Sequence, residues 1–296
     1  MKFTRLLSLV ITVSASLILW SCGGSSEKKE ENSEDFEKAE ESLKNQIQDV
    51  VYNIPSPSEI PYLLEATGAE FNQSLINNRK NAEAYATKSD KAALNLGIYA
   101  ADIGYLSSYG KTQEAIDYLN TTKTLADNLG VVGTFDVEEV KQFEENISNK
   151  DSLAAVLNRI VQKTDTYLKD DSRNRLAALV VTGSFVEGLY ISTGLIKSYP
   201  KNLLADDQRN LILTPLMRVV LQQSESVGEL LKMLNTVEDN ETITAIKGDL
   251  TQLEASYRAL NIEEQIKNNK ASLVLSDKNL LDITNIVDKL RKSITD

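Results

Sequence analysis

The side chains able to do chemistry are few, and their placement is unusual. Asp102 is the one ionisable acid or base between Lys91 and Lys111, Glu187 the one between Arg175 and Lys197, and Arg218 the one between Arg209 and Glu225. A lone carboxylate on an apolar helix cannot stay ionised without a partner, because loss of hydration raises its pKa until it takes up a proton. The three charges are therefore expected to meet, with Arg218 neutralising Asp102 or Glu187. Tyr105 and Tyr190 each stand three residues after an acid, on the same helical face, and are expected to complete the hydrogen bonding. As a buried ionic knot, the cluster would specify helix register more than it stabilised the fold. On the floor of an open cleft, the same carboxyls would be the acid and base of a glycosidase, or would line a pocket for a cation or small ligand.

Other chemistry is sparse. The chain has no histidine, which removes imidazole as general base and as metal ligand. Cys22 is the single cysteine, so the chain can form no internal disulfide and no thiolate cluster. Neither Gly-x-x-x-x-Gly-Lys-Ser/Thr nor Gly-x-Gly-x-x-Gly occurs, leaving nucleotide cofactors no cradle. Asp170-Asp171 and Asp206-Asp207 precede helical runs and read as N-caps, without EF-hand spacing. No catalytic residue, no metal site and no cofactor is expected. With 32 basic and 43 acidic residues, the net charge of −11 argues against nucleic acid and against a domain lying flat on an anionic leaflet. A polar concentration of Asn72, Gln73, Asn77, Asn78, Arg79, Asn81 and Tyr85 reads as a solvated helix end or a recognition surface.

The elements that must position these residues are helices. Beyond Phe36 helix breakers are rare, three of the five prolines cluster at Pro55, Pro57 and Pro61, and apolar residues recur every three or four positions. The fold class is all-α: a single multi-helix bundle or helical array of about ten helices. They are expected near 36–52, 57–82, 88–109, 111–129, 137–147, 150–169, 172–198, 205–235, 240–260 and 277–294. Ser56-Pro57-Ser58-Glu59 has capping-box spacing, and Gly110, Gly130 and Tyr199-Pro200 mark helix ends. No 34-residue echo recurs, so one continuous array is expected rather than a repeat solenoid. The three charge-poor helices should form the centre. Small-residue strips, Gly97, Ala101, Gly104 and Ser108 on one and Gly183, Ser184 and Gly188 on another, should let helices approach closely or line a groove.

The N-terminus supplies an address. Lys2 and Arg5 precede fifteen uncharged residues, Leu6 to Trp20, a signal-peptide core too short for a permanent span. Leu19-Trp20-Ser21-Cys22 resembles the lipobox of bacterial lipoproteins, with bulky Trp20 as a departure. That resemblance implies cleavage before Cys22, a diacylglycerol on its thiol and N-acylation of the new terminus. Gly23 to Asp35 has no large apolar side chain and reads as a flexible tether. The Ser-Cys-Gly-Gly junction with its charged tether is similar to that of Bacteroidota lipoproteins, which implies an outer-membrane lipoprotein facing the periplasm or cell surface. Over the folded part the resemblance goes no further. The expected layout is a signal peptide over 1–21, a lipidated cysteine and tether over 22–35, and a helical domain over 36–296. The expected role is a non-enzymatic binding or scaffold module held to the membrane by the lipid on Cys22, with an envelope protein as partner and no nucleic acid. The alternatives are a carboxylate-based enzyme on envelope glycans and a small-ligand binding protein.

Overall fold

A long helix with a single charge between its end turns has almost no face that prefers water, and it is stable only where other elements cover it. The computed structural model describes residues 59–130, 141–142, 174–199, 206–261 and 280–296. Two such helices form its interior, α2 (Ser89–Ser108) and α4 (Asn174–Ser198). Of their residues, 16 of 20 in α2 and 17 of 25 in α4 are buried. Helix α4 is long and apolar enough to cross a bilayer, but 83% of its apolar window is packed inside the protein, which makes it a core helix. Its hydroxyls are buried cheaply: Thr182, Ser192 and Thr193 each donate to the carbonyl four residues back.

The α2–α4 contact is the most extensive among the described helices, and glycines make it. A Cβ on Gly97 would overlap the Val180 carbonyl oxygen and lie 2.7 Å from Ser184 N, and a Cβ on Gly183 would overlap the Leu94 carbonyl oxygen. The two backbones thus touch with no side chain between them, each glycine turning a Cα hydrogen to the other helix's carbonyl. The helices run parallel: Arg175 Nε lies 3.2 Å from Asp90 Oδ1 near both N-termini, and Glu187 meets Asp102 further along.

The remaining elements wrap this pair. Helix α1 (Glu59–Ala66) lies across α2 and α4, α3 (Thr112–Asn128) folds back along α2, and α5 (Asp206–Gln222) packs on α4. Helix α6 (Ser224–Leu234) packs on α7 (Glu241–Ala259), and α8 (Leu281–Thr295) bridges α4 and α7. The α2–α3 hairpin turns at Gly110, whose φ of 68° lets Lys111 N reach the Leu106 carbonyl oxygen at 2.8 Å. Among the described residues there is no strand, and eight helices have eight residues or more. These elements belong to a compact unit spanning Leu43–Asp296. The signal peptide, Cys22, the tether and the helices expected near 36–52 and 150–169 lie outside the described residues, as does all but 141–142 of that near 137–147.

Two expected helices divide. The span near 57–82 ends at Ala66, where the Thr67 hydroxyl donates to the Leu64 carbonyl at 2.6 Å and Gly68 takes a φ of 78°. Beyond it Asn72 and Asn78 accept from Ser74 N and Lys80 N, holding 3-10 turns at Gln73–Leu75 and Arg79–Asn81. Such local side-chain bonds compete with a helix, and the segment becomes a strap over α2 and α3, ending in one helical turn, Ala82–Tyr85. The span near 205–235 breaks at Gln223, with Leu213, Met217 and Val220 buried before the break and Val227, Leu230 and Met233 after it. Nor is α5 buried all round: Pro215, Arg218 and Gln222 form an exposed stripe.

The glycine contact sets opposite expectations for one substitution at two places. Gly248→Ala, in α7 with nothing within 4 Å of the new methyl, should stabilise the protein by about 1 kcal/mol through helix propensity. Gly97→Ala should destabilise it by about 1–3 kcal/mol, because the methyl meets backbone that cannot step aside. Urea unfolding of the two variants checks the sign of each.

Candidate functional site

Two fully buried acids lie just beyond the glycine contact. Asp102 of α2 and Glu187 of α4 are each 0% exposed, and their carboxyl groups hydrogen-bond to one another. Two carboxylates cannot share a dry site while both are charged, so one must hold a proton. The bonding decides which. Glu187 takes a two-pronged ion pair from Arg291 of α8, Nε to Oε2 at 3.0 Å and Nη2 to Oε1 at 3.1 Å. Asp102 has no cation in hydrogen-bond contact; its Oδ2 accepts from Asn77 N at 3.1 Å, and no donor reaches its Oδ1. Asp102 is therefore the neutral acid and donates to the Glu187 carboxylate.

The titration behaviour follows. Burial, then the Glu187 charge, pushes Asp102 well above the usual carboxylate range. Burial also raises Glu187, with Arg291 offsetting part of the effect. Burial alone would lower Arg291, but the Glu187 carboxylate outweighs it and keeps the guanidinium charged. One proton, one anion and one cation leave the cluster neutral, the condition under which buried charge is tolerable.

A polar shell closes the site. The Asn77 carbonyl oxygen accepts from Tyr118 of α3 at 2.7 Å, and its side chain bonds Tyr85 at 3.3 Å and Asn95 at 3.4 Å. Asn95 and Tyr85 reach on to the last carbonyls of α8, Ile294 O and Thr295 O, both at 3.1 Å. Tyr99 donates to Asn78 O at 2.8 Å. Burial raises the hydroxyls of Tyr99 and Tyr118, and both remain protonated donors. The strap thus lids the acids while the C-terminal helix supplies their cation.

The sequence expectations distribute unevenly over this geometry. Asp102 and Glu187 come together, and Tyr190 joins them through its ring, on which the Arg291 guanidinium lies 4.5 Å from the centroid. Arg218 is not their partner: it is exposed on α5, because the apolar positions around it already turn that helix's other face inward. Tyr105 serves elsewhere, accepting from Asn72 N at 2.9 Å and stacking on Phe71 at 5.0 Å. Of the Asn-rich group, Asn77 and Tyr85 are buried, Asn72 and Asn78 cap turns, and Gln73, Arg79 and Asn81 are exposed. The small-residue strips act as packing surfaces, Gly97 and Gly183 against backbone and Gly188 against Ile60. Among the described residues no group of three or more acids, cysteines or histidines is placed to hold a metal.

Missed from the sequence were Arg291, Asn95, Tyr99 and Tyr118, and Asn77 was singled out only as part of a surface group, not as the residue that binds Asp102. A signal for Arg291 exists: it falls seven residues after Thr284 and four after Val287, both buried, hence on the inward face of α8. No family model matches this chain, and neither a curated protein nor a solved structure gives a significant match.

Glu187→Gln is expected to cost about 3–5 kcal/mol, since it strands the Arg291 charge in the interior. Asp102→Asn should be tolerated, the amide supplying the donor to Glu187 and the acceptor for Asn77 N. Asp102 keeps its proton in the fold above the pH at which the unfolded chain loses it, about 3.9. Its contribution is complete below that pH and is lost as pH rises through the folded pKa, by up to about 1.4 kcal/mol per unit. Unfolding measured from acid to neutral pH should therefore show Asp102→Asn gaining on the wild type as pH rises. A constant difference would place the proton elsewhere.

Proposed function

We propose that this chain is a lipid-anchored, non-enzymatic binding or scaffold module of the bacterial cell envelope. In this reading Cys22 carries the lipid, residues 22–35 tether the domain, and residues 36–296 form one array of about ten helices. The anchor rests on the lipobox-like Leu19-Trp20-Ser21-Cys22 and the signal core before it. The observation that favours binding over catalysis is the sealing of the acids. An enzyme that uses two carboxyls needs them on the floor of an accessible cleft. Asp102 and Glu187 are instead closed in by Asn77, Arg291 and the helices that carry them. Their arrangement supports a rigid interior, with recognition left to the acidic surface.

Fractionation of cells expressing the native chain and Cys22→Ser tests the anchor. The native chain should partition with membranes and the variant with the soluble envelope fraction; membrane retention of the variant would refute lipidation at Cys22. Crosslinking in intact cells, with the captured proteins identified by mass spectrometry, should yield an envelope protein with the native chain and lose it with Cys22→Ser.

A further inference from the structure

The strap, residues 68–81, is held down by side chains of the α2–α3 hairpin that reach its main chain. Tyr109 donates to Ala69 O at 2.8 Å, Tyr118 to Asn77 O at 2.7 Å and Tyr99 to Asn78 O at 2.8 Å, while the Tyr105 hydroxyl accepts from Asn72 N at 2.9 Å. The fifth tie runs from Asn77 N to Asp102. Water can replace each partner, so the net hold of such bonds is modest. Leu75 and Ile76 are the only buried apolar side chains the strap contributes. The other cover over the acids, α8, buries Ile283, Val287, Leu290 and Ile294 and adds ion pairs from Lys289 to Asp249 of α7 and from Asp288 to Lys197 of α4. The strap is therefore the weaker cover, and local opening starts where buried apolar contact is least. Gly68, exposed, with a φ of 78° and open space around it, provides a pivot at one end.

The acid under the strap links this cover to pH. Asp102 faces Glu187 of α4, Arg291 of α8, Tyr99 on its own helix, Tyr118 of α3 and, from the strap, Asn77. In the closed form it keeps its proton, because the one cation is already bound to Glu187 and the two helices, in backbone contact at Gly97 and Gly183, have no room to part. With the strap lifted, water reaches Asp102, which then ionises as an exposed carboxyl does. Opening thus releases one proton, and its equilibrium constant rises about tenfold per pH unit from about pH 4 until the closed form has lost the proton too. Arg291 works against release of α8 instead, because an ionised Asp102 beside Glu187 gives the guanidinium a second anion to hold. We propose that the strap is a lid held shut by the Asp102 proton, which lifts from α2 and α3 as pH rises while α8 stays seated. The lid carries the exposed side chains Gln73, Ser74, Arg79 and Lys80, so the fold couples pH to the surface they present. The inference goes beyond the binding-module reading and does not depend on the anchor.

The test is hydrogen exchange of the full chain in non-ionic detergent, read by mass spectrometry over the mildly acidic to mildly alkaline range. After division by the rates of an unfolded chain, exchange in peptides covering the strap should rise about tenfold per pH unit, while peptides from α8 and α4 stay protected. Asp102→Asn should make strap exchange independent of pH, because an amide has no proton to release. Tyr118→Phe removes the tie to Asn77 O and should speed strap exchange at every pH without changing its slope. Joint opening of α8 and the strap, a flat strap profile in the wild type, or a slope that survives Asp102→Asn would each overturn the proposal. The comparison of strap with α8 needs no variant, so it decides the matter even where a substitution impairs folding.

Discussion

The contact at Gly97 and Gly183 governs the interior. A helix pair held apart by leucines keeps its axes about 8–10 Å apart. Here a backbone carbonyl from each helix fills the place where the other's Cβ would stand, so the axes approach more closely than side-chain packing allows. Close approach fixes rotation as well as distance, because only the faces bearing glycine can meet. It also extends along the chain. Asp102 lies five residues beyond Gly97 and Glu187 four beyond Gly183, about 6–7.5 Å along parallel axes. Once the glycines dock, the two carboxyls have no room to avoid each other.

That proximity has consequences well away from α2 and α4. Two acids in a dry space need a proton and a cation, and the cation comes from near the end of the chain. Arg291 reaches Glu187 only if α8 is seated, and Asn95 and Tyr85 hold the last carbonyls of α8 in place. The strap supplies Asn77 N to Asp102 and lies over the pair from the other side. Thus α2, α4, α8 and the strap converge on one neutral cluster, and none can shift register without leaving a buried polar group unmatched. Apolar replacements could give equal or greater stability, but they would tolerate slippage between helices that have long, similar apolar faces. The cluster works as a register key.

What the sequence reveals of this follows from where local signals suffice. Absence of charge over about twenty residues is a local property, and it located α2 to within one residue at each end and the C-terminal end of α4. The small-residue strips, too, are visible in one helix at a time. The pairing of Glu187 with Arg291 is not local, because it spans 104 residues and depends on which of several cations in α8 turns inward. Arg218 was the natural choice because it stood alone on an apolar run. Yet a single charge among apolar residues is also what a helix with a narrow exposed stripe looks like, and the spacing of Pro215, Arg218 and Gln222 marks that stripe. Tyr99 and Tyr105 pose the same ambiguity, lying three residues before and after Asp102. Either could face the acid, and the strap, whose path is set by asparagine-capped turns, decides in favour of Tyr99.

The division between interior and surface bears on function. Among the described residues, Asp102 and Glu187 are fully buried, with their hydrogen bonds directed at one another, at Asn77 and at Arg291. Chemistry at such a place would require α8 or the strap to lift, breaking a bidentate ion pair and the bonds to Ile294 and Thr295 in the same step. The surface carries the opposite character: solvent-facing ion pairs, some within one helix, as Lys232 with Glu229 and Arg258 with Glu254, and some between elements, as Lys197 with Asp288 and Arg79 with Asp117. Pairs of that kind contribute little to stability, so their arrangement is free to vary without endangering the fold. An interior keyed for one register beneath an acidic surface is what the proposed binding-module reading requires.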